Sequence, residues 1–141
     1  MERLTVPGTL TSLREIANYV MTAASQAGLD KKAAYKLRLA VDEVATNIIL
    51  HGYQEAGLEG DLSIEAGLDP KKLTLVIEDQ ALPYDPTQHQ LPSEQDLTQS
   101  LNERTEGGLG IYLVLEGVDK FLYERSGNLN RNIFIMNIPV A

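Results

Sequence analysis

One apolar stretch, Leu39–Tyr53, limits what this chain can fold into more than any other part of its sequence. Apolar residues in and just before it recur at the spacing of one helix face: Leu37, Val41, Val44 and Ile48. Glu43 and Asn47 stand one helical turn apart on another side, among leucines. A carboxylate and an amide in such surroundings cost roughly one to several kcal/mol unless something binds them. The stretch therefore predicts a helix that offers two polar groups to a metal ion or a substrate.

The length and composition fit a single domain over residues 1–141 with one hydrophobic core. The chain has no cysteine, which excludes a disulfide framework, a thiolate zinc site and a cysteine nucleophile. The N-terminus lacks the apolar core of a signal peptide, and no apolar run approaches the roughly 20 residues that cross a bilayer. We therefore expect a soluble, cytoplasmic protein.

The formal net charge of −8 narrows the range of partners. Nucleic acids and anionic membranes select for basic surfaces, so neither is an expected partner. An acidic chain suits a protein partner with basic patches, or a site that concentrates a divalent cation.

The N-terminal part predicts a strand at 4–6, a helix over 13–27 and a second helix over 31–50. Gly28 stands where a left-handed cap ends the first helix. Asp30 is a suitable N-cap for the second helix, and Gly52 is expected to close it.

The C-terminal part predicts two hairpins, with strands at 62–66 and 73–77 and at about 120–125 and 131–138. A proline-containing segment from about 80 to 106 lies between them, and its length is typical of a lid or a binding loop. A short helix is expected over 111–115. Because helices and hairpins are segregated, we expect an α+β two-layer sandwich: a mixed, mostly antiparallel sheet with helices on one face and a pocket between the layers.

Three segments carry polar or glycine residues that suit a binding site, and each also has a structural explanation. Glu43 and Asn47 can be satisfied by hydrogen bonds within the fold. Asp79 ends an apolar strand before a proline turn, or it accepts a hydrogen bond from an exocyclic amine such as that of adenine. The glycines of Gly107–Gly110 form a turn, or they bring backbone amides close to phosphates at a helix start. Arg104 is a solvated charge, or it reaches a phosphate or a partner.

Together the three segments resemble the motifs of GHKL-type ATPases, in particular the bacterial anti-sigma-factor serine-protein kinases. The first motif resembles Val41–Tyr53, the second Asp79–Pro86 and the third Gly107–Gly110, in the family's order and spacing. The resemblance extends nearly from end to end of the chain. It implies a histidine-kinase-like Bergerat ATP-binding fold.

The resemblance also implies roles for single residues. Asn47 would bind Mg²⁺, Asp79 would meet the adenine amine, and Gly108 and Gly110 would support the phosphates of ATP. Glu43 would be the general base.

Two further positions belong to the expected nucleotide site. The family usually has a glycine two residues after the aspartate of the second motif, whereas this chain has Ala81. Its extra methyl group near the adenine is either tolerated or weakens nucleotide binding. Arg104 lies in the segment of about 80–106 that the resemblance identifies as an ATP lid.

The function that the resemblance implies is an anti-sigma factor and serine-protein kinase. Such a protein would bind a sigma factor and, with Mg-ATP, phosphorylate a serine of a STAS-domain anti-anti-sigma partner. The alternative is a non-catalytic module that sequesters a sigma factor or another regulator and responds to nucleotide. A homodimer is a further implication of the family.

Overall fold

The computed structural model describes residues 1–83 and 116–139. Their elements, in chain order, are β1 (Leu4–Pro7), a 3-10 turn (Leu10–Ser12), α1 (Leu13–Ala27), α2 (Lys31–Asn47), a π-helical segment (Ile48–Gln54), β2 (Asp61–Leu68), β3 (Lys72–Asp79), β4 (Lys120–Ser126) and β5 (Leu129–Asn137). Most of the expected lid, the glycine motif and the expected helix over 111–115 lie outside the described residues. Glu116 and Gly117, just after that helix, are helical.

The five strands form one sheet in the order β1-β2-β3-β5-β4. Each neighbouring pair is antiparallel. The α+β sandwich is therefore confirmed, but the sheet is not mixed within the described part of the chain. β3 and β4 do run in the same direction, since both are antiparallel to β5, but β5 lies between them and prevents a parallel pair.

Local signals place the two helices where the sequence predicts them. Gly28 ends α1 in the left-handed conformation, with φ of 76°, and its N–H donates to the carbonyl of Ala24. The Asp30 carboxylate caps α2 by accepting a hydrogen bond of 2.7 Å from the N–H of Ala33. Capping of this kind is worth about 1 kcal/mol, because it satisfies a donor that the first turn leaves unpaired.

One core lies between the helices and the sheet. Both helices face it with the apolar stripe that the sequence predicts, and alternate residues of the strands face it from the other side. Its largest fully buried members include Ile16, Leu37, Val41, Ile64, Leu75, Ile77 and Phe134. None of the helices in the described ranges has both the length and the apolar character that a membrane span needs.

The end of the second helix differs from its prediction. The helix does not stop at Leu50, and Gly52 does not close it; instead the chain continues as a π-helix to Gln54. The wider turn places Tyr53 in the core at 2% exposure, where its hydroxyl donates to the carbonyl of Asp61 at 2.7 Å. Burial of this ring and its hydrogen bond stabilise a turn that helical periodicity alone does not reveal.

Candidate functional site

Asp79 is the last residue of β3 and points to the helix side of the sheet. The preceding residues on that face, Leu75 and Ile77, are fully buried, and alternation along the strand places Asp79 in line with them. Its exposure is only 3%. Its cross-strand partner on β5 is Asn130, which is 2% exposed. A carboxylate is thus held at the edge of the core, where charge is costly.

The two oxygens of the Asp79 carboxylate have different environments. Oδ1 accepts hydrogen bonds from Asn130 Nδ2 at 2.9 Å and from the N–H of Ala81 at 3.0 Å. Oδ2 is buried and has no hydrogen-bond partner among the residues that the structure describes. Burial raises the pKa of Asp79, and the bonds from Asn130 and Ala81 and the charge of Arg125 act in the opposite direction. Since an unpaired buried acceptor costs about 1–3 kcal/mol or more, Oδ2 is suited to a ligand that brings a donor.

Asn130 connects Asp79 to β4. Its Nδ2 also donates to the carbonyl of Ala81 at 2.9 Å. Its Oδ1 accepts from the hydroxyl of Tyr123 at 2.6 Å and from Nη1 of Arg125 at 2.8 Å. None of these three strand residues, Tyr123, Arg125 and Asn130, is predicted as a site residue from the sequence. The sequence does contain a signal for Asn130. It lies four residues before Phe134 on β5, so strand alternation places both side chains on the inward face.

Asn132 is a second buried amide in that inward-facing series, at 1% exposure. Within residues 1–83 and 116–139, its Oδ1 has no hydrogen-bond partner. It lies across from Ile77, one inward position deeper in the sheet than the Asn130 and Asp79 pair. The floor of the candidate site is thus more polar than an ordinary core.

The helix side of the site carries Glu43 and Asn47. They are four residues apart on α2, so their side chains are neighbours on its surface. Asn47 is only 4% exposed, and its Nδ2 is buried without a partner in the described part of the chain. A half-turn of this amide exchanges its nitrogen and oxygen, so the same position can offer an oxygen to a cation. Glu43 is partly exposed, as a proton acceptor for an incoming hydroxyl must be.

Asn47 would be a magnesium ligand with few other protein ligands around the ion. Within residues 1–83 and 116–139, no group of three or more histidine or acidic side chains is placed to hold a metal ion. A Mg²⁺ ion commonly takes one or two protein ligands and completes its shell with water and phosphate oxygens. The donor set fits Mg²⁺ that arrives with a nucleotide.

Ala81 and Gly52 connect the strand end to the helix. A Cβ atom on Gly52 would lie 2.7 Å from the Cβ of Ala81, so the methyl group of Ala81 is packed against the helix backbone. The N–H of Leu82 donates to the carbonyl of Gly52 at 3.2 Å. Gly52 is therefore required for close approach and not for ending the helix. The methyl group of Ala81 is accommodated, at 3% exposure.

Four of the predicted site residues lie in the part of the chain that the structure describes, where they form two pairs. The structure joins the Asp79 and Ala81 pair to the helix that carries Glu43 and Asn47, through the contact at Gly52. The remaining predicted residues, Arg104, Gly108 and Gly110, are outside the described residues.

A cleft of about 770 Å³ lies between β1 and the end of the π-helical segment. Gly8, Tyr53 and Asp61 line it, and none of the predicted site residues that the structure describes does. The Tyr53 hydroxyl is fully used, since it donates to Asp61 and accepts from the N–H of Gln80 at 3.0 Å. We therefore assign the site by its unpaired buried polar atoms and not by volume.

Comparison with known proteins agrees with this geometry. The profile of the histidine kinase-like ATPase domain matches residues 6–137, which is nearly the whole chain. The chain belongs to this family. The family resemblance inferred from the sequence is thereby confirmed, and the α2 and β3 motifs described above are in the matched region.

Named relatives of the chain include serine-protein kinases. The serine-protein kinase RsbW of Bacillus subtilis (strain 168) is 32% identical over 96 residues, which cover 64% of this chain and 57% of that protein. The RsbW of Staphylococcus aureus (strain MRSA252) is 29% identical over 107 residues, with 73% and 66% covered. The chain thus matches less than two thirds of the length of these relatives.

Solved structures share the fold at lower identity. The histidine kinase domain of the Erythrobacter litoralis EL346 blue-light activated histidine kinase has a TM-score of 0.56 at 15% identity, over 91% of this chain and 60% of that one. The histidine kinase AdeS of Acinetobacter baumannii has a TM-score of 0.51 at 13% identity, over 98% and 69%. At these identities the likeness concerns the family's fold alone.

Proposed function

We propose that this chain is an ATP-dependent serine-protein kinase that also acts as an anti-sigma factor in the cytoplasm. The observation that carries the proposal is the unpaired, buried Oδ2 of Asp79 at the end of β3, in a sheet whose facing helix carries Glu43 and Asn47. The likeness to serine-protein kinases supports it. The kinase substrate would be a serine of a STAS-domain anti-anti-sigma protein.

Each described residue has a defined task in this proposal. Asp79 accepts a hydrogen bond from the exocyclic amine of adenine. Asn47 holds Mg²⁺ by its amide oxygen. Bound Mg-ATP supplies the γ-phosphoryl group that is transferred. Glu43 would take the proton from the serine hydroxyl as the serine oxygen bonds to the γ-phosphorus, the bond from that phosphorus to the bridging oxygen breaks, and ADP leaves. In phosphoryl transfer most of the catalytic effect comes from such positioning and from charge stabilisation.

The remaining site residues act on the phosphates and the entrance. Gly108 and Gly110 would bring backbone N–H groups to the phosphates, and Arg104 would reach a phosphate or the partner. The segment of about 80–106 would close over the nucleotide as a lid. Its first residues, Ala81 and Leu82, are in contact with Gly52, so movement of the lid would begin at that contact.

The proposed macromolecular partners are a sigma factor and the anti-anti-sigma protein. The net charge of −8 favours a partner surface with basic patches and disfavours nucleic acid and anionic membranes. We further propose that the chain works as a homodimer, as the family resemblance implies.

The kinase proposal is tested by two measurements on the full chain. Calorimetry with ATP and Mg²⁺ tests nucleotide binding, and mass spectrometry of a STAS-domain partner tests for phosphoserine. Glu43→Gln is expected to keep nucleotide binding and to slow transfer by about 100-fold or more, because it removes the general base. Glu15→Gln, an exposed change on α1, is the matched control. A transfer rate that Glu43→Gln leaves unchanged would refute the role of Glu43.

The second candidate is a non-catalytic module that sequesters a sigma factor or another regulator in response to nucleotide. The coupling between Ala81 and Gly52 favours it, because nucleotide at Asp79 would be sensed at the start of the lid without any chemistry. Tight ATP binding with no phosphoserine on any tested partner would support this reading over the kinase.

A further inference from the structure

Asn130 is unusual among buried side chains because every hydrogen-bonding position of its amide is used. Its two N–H groups donate to Asp79 Oδ1 and to the carbonyl of Ala81, and its oxygen accepts from Tyr123 and Arg125. An asparagine amide has two donors and two acceptor lone pairs, so no capacity remains. A ligand therefore meets Asp79 and not Asn130.

The orientation of this amide is fixed by the chemistry of its neighbours. Arg125 can only donate, so the amide oxygen must face it. The ionised carboxylate of Asp79 can only accept, so the amide nitrogen must face that side. The opposite orientation would bring donor to donor and acceptor to acceptor at once. β4 thus sets which end of Asn130 reaches Asp79.

We propose that Asn130, held by Tyr123 and Arg125, is a positioning residue that directs Asp79 Oδ2 at the ligand and sets the preference for a 6-aminopurine over a 6-oxopurine. The proposal rests on the proposed nucleotide function and adds the residues that determine its base specificity. Oδ1 is occupied by two donors, so the whole free acceptor capacity of the carboxylate is at Oδ2.

Specificity follows from the state of that one oxygen. An ionised Oδ2 accepts from the 6-amino group of adenine, whereas the 6-oxo group of guanine would bring a second acceptor to it. A protonated Oδ2 would donate instead and would favour the 6-oxo group. A site built on a buried hydrogen bond discriminates strongly, because the wrong ligand leaves its polar group unpaired.

The charge state of Asp79 depends on Asn130 and on the groups behind it. Burial raises the pKa of Asp79, while the Asn130 hydrogen bond and the charge of Arg125 lower it. Arg125 belongs to β4. The hydroxyl of Tyr53, in the π-helical segment, donates to the carbonyl of Asp61 and therefore not to Asp79. Loss of the Asn130 donor or of the Arg125 charge therefore shifts Asp79 toward its protonated form.

The test compares four variants of the full chain with the wild type. Asn130→Ala removes the donor, Asn130→Asp keeps the shape but places an acceptor against Asp79, and Arg125→Gln removes the charge from an exposed position where folding is not at risk. Asn128→Ala, in the exposed turn between β4 and β5, is the control. Carbon-detected NMR of the nucleotide-free chain follows the ionisation of Asp79, and calorimetry with Mg²⁺ and either ATP or GTP gives the ratio of their Kd values.

We expect the pKa of Asp79 to rise in all three test variants, most in Asn130→Asp. The preference for ATP over GTP should fall at least about tenfold in Asn130→Ala and Asn130→Asp, as for loss of a bond to a charged group. Asn128→Ala should match the wild type in both measurements. A folded Asn130→Ala that keeps the wild-type ratio overturns the proposal, and so does an Asp79 titration that Asn130→Ala and Arg125→Gln leave in place.

The measurements distinguish a failure of the nucleotide function from a failure of the positioning role. Wild-type protein that binds neither nucleotide overturns the proposed function. The NMR titration needs no ligand, so it still decides whether Asn130 and Arg125 control Asp79. If the wild type binds ATP but neither Asn130→Ala nor Arg125→Gln changes the titration of Asp79, only the positioning role is overturned.

Discussion

Replacing Gly52 by alanine would place a methyl carbon 2.7 Å from the Cβ of Ala81. Ordinary contacts between carbon atoms are about 3.5–4.0 Å, so the helix and the strand end would have to separate by roughly 1 Å. The atom in the way is a Cβ fixed to the backbone and not the end of a flexible side chain. The change therefore forces backbone movement at the contact that joins the two halves of the site.

The expected cost follows from overpacking of a rigid contact. Such insertions destabilise by about 1–3 kcal/mol. Alanine in place of glycine in a helix returns up to about 1 kcal/mol, so the net loss should be about 1–2 kcal/mol. For a domain of this size that corresponds to a fall in Tm of roughly 3–7 °C.

The double variant Gly52→Ala with Ala81→Gly gives the sharper result. It moves the single methyl group from the strand side of the contact to the helix side and removes the clash. Ala81→Gly alone is expected to lose about 1 kcal/mol for the buried methyl group and up to about 1 kcal/mol for backbone freedom. The double variant should be more stable than the sum of the single changes by about 1–3 kcal/mol, the coupling expected for residues in direct contact.

Urea unfolding of the four chains measures this coupling, with Gly67→Ala as the control. Gly67 lies in β2, and a Cβ there would have no atom within 4 Å, so its substitution should be neutral or slightly stabilising. Additive effects of Gly52→Ala and Ala81→Gly, or a neutral Gly52→Ala, would refute the reasoning. Either result would mean that Ala81 does not pack against the helix at Gly52.

The remaining predictions concern Asp79 and Tyr53. Asp79→Asn should weaken ATP binding by about 10- to 100-fold, because a bond to a charged group is worth about 1.5–3 kcal/mol; calorimetry measures this, and unchanged affinity would contradict the adenine role. The stability contribution of Asp79 should fall as pH rises, since its folded pKa lies above the unfolded value and the contribution is complete only below the unfolded pKa. Unfolding of the nucleotide-free wild type and Asp79→Asn across pH checks this sign, and the variant should gain relative stability toward neutral pH. Tyr53→Phe should cost about 1–3 kcal/mol in urea unfolding, because it removes two partly buried hydrogen bonds, to the carbonyl of Asp61 and from the N–H of Gln80, of about 0.5–1.5 kcal/mol each. The exposed Tyr35→Phe is its control, and equal stabilities would argue against the Tyr53 hydrogen bonds.

Predictions that rest on local chemistry agree with the structure. The cap residues Asp30 and Gly28 occupy their expected positions, because capping depends on neighbours within a few residues. Asp79 and Asn47 are buried polar residues with unpaired atoms, as expected from polar residues in apolar stretches. The roles of Glu43, Asn47, Asp79 and Ala81 in binding or catalysis stay predictions.

Predictions that need distant parts of the chain are where the sequence analysis falls short. The π-helical segment depends on Tyr53 meeting the carbonyl of Asp61 and on Gly52 meeting Ala81. Asn130 looks like any polar strand residue until β5 is placed between β3 and β4. Its partners Arg125 and Tyr123 are close to it in sequence, but nothing local shows that the group faces Asp79.

By itself, the sequence determined the two helices with their caps and the two hairpins, because periodicity, capping and turn chemistry act over a few residues. Glu43, Asn47, Asp79 and Ala81 stay predicted site residues, named from a family resemblance. Only the tertiary structure decided that β5 pairs with β3, and hence that Asn130 holds one oxygen of Asp79 while the other has no partner among the described residues. It likewise decided that Gly52 leaves space for the methyl group of Ala81 instead of ending a helix. Both depend on contacts between residues far apart in the chain, whose geometry is fixed by packing and not by local preference.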